Sequence, residues 1–184
     1  IGYKVGQLGT EPTALLFGLD EVFHYGYSVC NVESFERTIL YVNNLMHKIS
    51  EREPDIIIAG IQAGTVPYSY ENISYLSNRQ LEVLTGIMPD AVILCINPYD
   101  DTWFIRKTIN VIENYISAKV LCCVMYPMEY DNRFQTYNLK KTMDEEEQAL
   151  LTNKISDELG IPIYSLDDSK ISLISEVIIN YFGE

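Results

Sequence analysis

The chain has 184 residues, with 26 Asp and Glu against 13 Lys and Arg, so its formal net charge is −13. That balance repels phosphate backbones and anionic lipid heads, which sets nucleic-acid binding and peripheral membrane binding aside. At 47% hydrophobic residues the chain is globular in composition, and its length suits one domain, 1–184.

The opening residues, Ile1-Gly2-Tyr3-Lys4, carry no apolar signal region and no initiating Met. The chain is therefore expected to start inside a longer gene product, as its carboxyl-terminal part. Five short apolar runs read as strands: 3–8, 55–60, 91–96, 120–126 and 162–165. Their β-branched, two-sided character fits strands covered on both faces. Amphipathic stretches alternate with them, at 32–52, 78–88, 102–116, 144–159 and 169–182, and read as helices. Asp101 or Thr102 suits the start of the third helix, and the acids of 144–147 suit the first turn of the fourth. Gly160 followed by Pro162 suits that helix's end. Such alternation predicts an α/β fold: a three-layer, doubly wound, mostly parallel sheet of about five strands with right-handed crossovers. The run 55–60 (DIIIAG) suits burial, so it is expected to pair directly with 91–96 or to be covered in a homodimer.

The four cysteines are Cys30, Cys95, Cys122 and Cys123, with no Cys-x-x-Cys pair, and the two histidines are His24 and His47. This set gives no zinc pattern. Cys95, Cys122 and Cys123 sit in apolar runs and are expected to be buried, reduced core residues of a cytoplasmic protein.

In a doubly wound sheet, ligands bind outside the carboxyl ends of the strands. The loops there carry Gln62, Thr65 and Tyr68 after the second run, and Asn97, Asp100 and Asp101 after the third. These six are the candidate ligand-binding residues, expected to line one cleft. The competing reading is that Tyr and Asp simply belong in turns and caps. No catalytic residue and no metal ligand stands out. The phosphate-loop pattern Gly-x-x-x-x-Gly-Lys-Ser/Thr does not occur; Gly60-x-x-x-Gly64-Thr65 lacks its Lys.

Two segments carry a family resemblance. Residues 55–68 (DIIIAGIQAGTVPY) and 86–98 (GIMPDAVILCINP) resemble the carboxyl-terminal P-loop domain of proteins related to dethiobiotin synthetase and cobyric acid synthase. Gly9-Thr10, Leu16-Phe17-Gly18, Pro67-Tyr68 and Asn97-Pro98-Tyr99 together look like a clostridial natural-product peptide maturation family. The resemblance covers roughly residues 1–130, and 131–184 read only as α/β continuation. It implies a P-loop-like fold whose phosphate loop lies upstream of Gly2. It also implies that Gly60 stands where the group carries its magnesium-side Glu, with Asp55 at the far end of the strand.

Two functions follow as expectations. One is a degenerate P-loop-like accessory module that binds a precursor peptide or a maturation enzyme, with no cofactor in this chain. The other is an ATP-dependent ligase or transferase domain, using ATP and Mg²⁺ through a phosphate loop in the longer protein.

Overall fold

The structure is a computed structural model of the chain, and it describes residues 2–24, 34–61, 65–67, 78–130, 140–167 and 170–183. The chain divides into two compact units, Ile1–Pro89 and Asp90–Glu184. The fold is α/β with parallel sheets, as the strand–helix alternation implies.

In the first unit, β1 (Val5–Gly9) runs between β2 (Glu21–Val22) and β3 (Ile56–Ala59), parallel to both. The run 55–60 does not pair with 91–96 as expected: β3 pairs with β1, Val5 opposite Ile56 and Leu8 opposite Ala59. As the outer strand of its ladder it leaves Ile58 exposed, whereas 91–96 pairs with 119–125. A turn of 3-10 helix (Pro12–Phe17) joins β1 to β2. Helix α1 (Phe35–Ser50) starts at Ser34, whose hydroxyl accepts the Arg37 N–H. Its buried side chains Val42, Leu45 and Ile49 meet Leu8, Phe23 and Val83, the last from α2 (Asn78–Ile87). Close approach needs glycine twice. Gly6 faces Ile49, with Pro54 also 3.3 Å from where a Cβ would lie, and Gly86 would place a Cβ 2.7 Å from the Val42 Cβ.

In the second unit, β5 (Lys119–Met125) lies between β4 (Ala91–Ile96) and β8 (Ile163–Ser165), all parallel. β5 is the central strand because both its faces are apolar: Val120 and Cys122 to Met125 are all buried. Helix α3 (Thr102–Val111) continues as a π-helical turn (Ile112–Ile116) and crosses from β4 to β5. Its buried stripe is Ile105, Ile109, Ile112 and Ile116. Beyond β5 comes a small hairpin, β6 (Met128–Tyr130) against β7 (Lys140–Thr142). Then α4 (Glu145–Leu159) leads to β8, and α5 (Ile171–Phe182) follows it.

The local punctuation is where the sequence puts it. Asp144 and Glu147 form a capping box at the start of α4, and Gly160 ends it at φ 74°. Two further expectations are corrected: among the described residues the parallel strands form two three-stranded ladders and not one sheet of about five, and one cysteine is not buried. Cys122 and Cys123 are buried, but Cys95 is exposed, because β4 is the outer strand of its ladder and is covered less completely than β5. Among the described residues no helix is long and apolar enough to cross a membrane.

Candidate functional site

The loop after β4 is built by its own carboxylates. Asp100 Oδ2 accepts the Asn97 backbone N–H at 2.7 Å and the Asn97 side-chain amide at 3.4 Å. Asp101 Oδ1 accepts the Trp103 N–H at 2.7 Å, which makes it the N-cap of α3. Three consecutive requirements are met this way: β4 stops, the chain turns, and the first free donors of α3 find an acceptor. The Tyr99 hydroxyl donates to the Met128 carbonyl at 2.7 Å and ties the loop to β6.

Against this loop lies α4, and the two enclose a cleft of about 260 Å³ within the second unit. Tyr99, Asp100 and Asp101 form one wall, and Leu151, Lys154 and Glu158 form the other. The α4 residues are spaced to share one helix face. The Arg106 guanidinium donates to the Glu158 carbonyl and ties α3 to α4. Lys154 has no carboxylate partner among the described residues. Asp100, Asp101, Glu158 and Lys154 thus line the cleft, with a summed formal charge of −2, and the Arg106 guanidinium lies close by on the Glu158 carbonyl.

Of the six sequence candidates, Asn97, Asp100 and Asp101 come together in this loop, with the last two lining the cleft. Thr65 belongs to the first unit, half-buried beside the buried Val66. Gln62 and Tyr68 lie outside the described residues, as does Cys30. Lys154, Glu158 and Leu151 are site residues that the loop-by-loop reading does not reach. Their signal is the 151, 154, 158 spacing on α4, legible only once α4 is known to pack beside α3.

Among the described residues, β3 offers no acid where the resemblance places a magnesium-side Glu. Gly60 ends β3 without an acid, although a Cβ there would meet nothing nearer than the Leu8 carbonyl at 3.9 Å. Asp55, at the opposite end of the strand, accepts the Lys4 N–H at 2.7 Å, so it serves the β1–β3 ladder. Among the described residues no group of three His, Cys, Asp or Glu is placed to hold a metal ion.

Titration in the second unit is dominated by burial. It pushes the Cys123 thiol up to about 12 and the Cys122 thiol up to about 11, with smaller contributions from neighbouring cysteines. Partial desolvation of its sulfur also raises Cys95, although the residue is exposed. The buried Cys122 and Cys123 thiols so held are inert as nucleophiles near neutral pH. The Lys119 ammonium, 2.8 Å from Glu113, holds that carboxyl below its usual range.

No family model matches the chain, and no curated protein matches it. Among solved structures, it superposes on a DUF1611 family protein from Anabaena variabilis ATCC 29413 with a TM-score of 0.61 at 14% identity. That match covers 97% of this chain and 48% of the other, so the chain spans about half of that protein's length. A nucleotide-binding protein from Archaeoglobus fulgidus, in complex with ADP, matches with a TM-score of 0.49 at 14% identity, covering 98% of this chain and 76% of that one. At such identity the DUF1611 likeness concerns the fold alone.

Proposed function

We propose that this chain is a non-catalytic, P-loop-like binding module of a peptide maturation system, and that the cleft beside α3 receives a basic side chain of the precursor peptide. The observation that carries the reading is the use made of the cleft's carboxylates. Asp100 and Asp101 each accept a neighbouring backbone N–H, from Asn97 and Trp103, on one oxygen and leave the other for an incoming donor. A cleft of about 260 Å³ falls below the roughly 300–1,000 Å³ of small-molecule sites. It matches one long side chain better than a nucleotide. A Lys or Arg side chain would lay its stem along Leu151 and Ile155 and offer its cation to the carboxylates. The biological setting comes from the sequence resemblance over residues 1–130. The Gly60 end of β3, without an acid, supports a module whose own residues do not hold a magnesium nucleotide.

Calorimetry with the purified chain tests this. The precursor peptide should bind, and binding should weaken as salt is added, because the charges that meet are exposed. ATP with Mg²⁺ should give no micromolar binding and no hydrolysis. Micromolar affinity for ATP and Mg²⁺ would overturn the reading in favour of an ATP-dependent ligase or transferase domain.

A further inference from the structure

The segment between β1 and β2 is short, fixed and apolar on its outside. Ala14 is its buried foot. Ala14 and Leu19 close over Gly9 so tightly that a Cβ there would lie 3.1 Å and 2.6 Å from them. The Gly18 N–H donates to Leu15, and the Leu19 N–H donates to Ala14. Gly18 takes φ 88°, a conformation that costs glycine nothing. Its far end is sewn to β1: the Asp20 N–H donates to Gln7, the Phe23 N–H donates to Gly9, and the Gln7 N–H donates to Asp20 Oδ2.

The turn therefore keeps its shape without the three side chains at its crest. Leu15, Leu16 and Phe17 are 52%, 84% and 81% exposed. Single exposed apolar residues are ordinary, but three in a row on a pinned turn, with no part in the core, form a patch. Its flanks are acidic. Residues 9–23 hold Glu11, Asp20 and Glu21 and no Lys or Arg; Asp20 is paired with Arg52.

We propose that the Leu15-Leu16-Phe17 crest is a docking knob, inserted into an apolar groove of a partner protein whose rim carries Lys and Arg. A convex apolar crest seeks a concave apolar partner, and an acidic surround selects a basic rim. A second copy of this chain is the poorer occupant, since it brings −13 against −13, and anionic lipid is repelled for the same reason. The inference stands on this turn alone and does not need the cleft beside α3 to bind peptide.

The test places the photo-crosslinker p-benzoylphenylalanine at position 16 or 17 in the producing cells. The 74%-exposed Leu150 of α4 serves as the control position. One protein adduct should form from 16 and 17 and not from 150. That protein, purified, should bind the Leu16→Ser/Phe17→Ser double variant on the order of a hundredfold more weakly. The variant's unfolding midpoint should not move. Wild-type binding should weaken between about 50 mM and about 500 mM salt. Adducts made only of two copies of this chain, adducts to lipid, or none above the control would overturn the knob. So would a purified partner whose affinity ignores the double variant or the salt. If the Asp101→Asn variant leaves peptide binding unchanged while the knob adduct forms, only the cleft reading falls.

Discussion

Asp101 has two assignable jobs, and one pair of variants separates them. Its Oδ1 caps α3 by accepting the Trp103 N–H at 2.7 Å, and the residue lines the cleft. Replacing an N-cap Asp by Ala typically costs about 1 kcal/mol, because a helix donor loses its acceptor. Asn keeps an oxygen in the same place and loses only the favourable interaction of a negative charge with the helix N-terminus, about 0.3–1 kcal/mol. Asp101 is exposed, so the lower end of that range applies. Asp101→Ala should thus destabilise the chain by about 1 kcal/mol and Asp101→Asn by about 0.3 kcal/mol, read from urea unfolding followed by circular dichroism. Toward peptide the two variants should behave alike, since both remove the charge. An exposed ion pair is worth about 0.2–1 kcal/mol, which is roughly a 1.4- to 5-fold loss of affinity. If Asn destabilises as much as Ala, the cap is not what the carboxylate supplies. If Asn leaves peptide affinity unchanged, the cleft does not read positive charge through Asp101.

Two further outcomes follow from packing and burial. Because the folded-state Cys122 and Cys123 thiols are raised to about 11 and about 12, the unfolded chain loses these protons first as pH rises. The unfolded state then binds fewer protons than the folded one, so stability is flat up to about pH 9 and falls above it, by up to about 1.4 kcal/mol per pH unit per thiol. The alkaline decline should shrink in a Cys122→Ala/Cys123→Ala variant, and an unchanged slope would remove these thiols as its cause. Gly6→Ala would press a methyl onto Ile49 and should cost about 1–3 kcal/mol in denaturant unfolding. In an Ile49→Ala background most of that cost should vanish, and a purely additive pair would refute the contact.

Some of this protein is settled residue by residue, within a few positions along the chain. The capping box of Asp144 and Glu147, the left-handed Gly160 and the Asp101 cap depend on backbone dihedrals and on hydrogen bonds spanning two to four residues. Those requirements are visible in the sequence, so the long helices and the strands of the parallel ladders are legible there. The 3-10 turn of residues 12–17 is too short to show a period, and β2 and the β6–β7 hairpin are two or three residues long. Such pieces exist because neighbours complete them. Tertiary structure alone decides that β1 is the partner of β3, that Cys95 is exposed while Cys122 and Cys123 are buried, and that α4 supplies the second wall of the cleft. Lys154 and Glu158 look like ordinary surface residues of an acidic helix until α3 packs beside them. The apolar triplet of Leu15, Leu16 and Phe17 looks like core until Ala14 takes the inward position in its place. Each of these depends on which face of an element is covered, and coverage is set by segments tens of residues away.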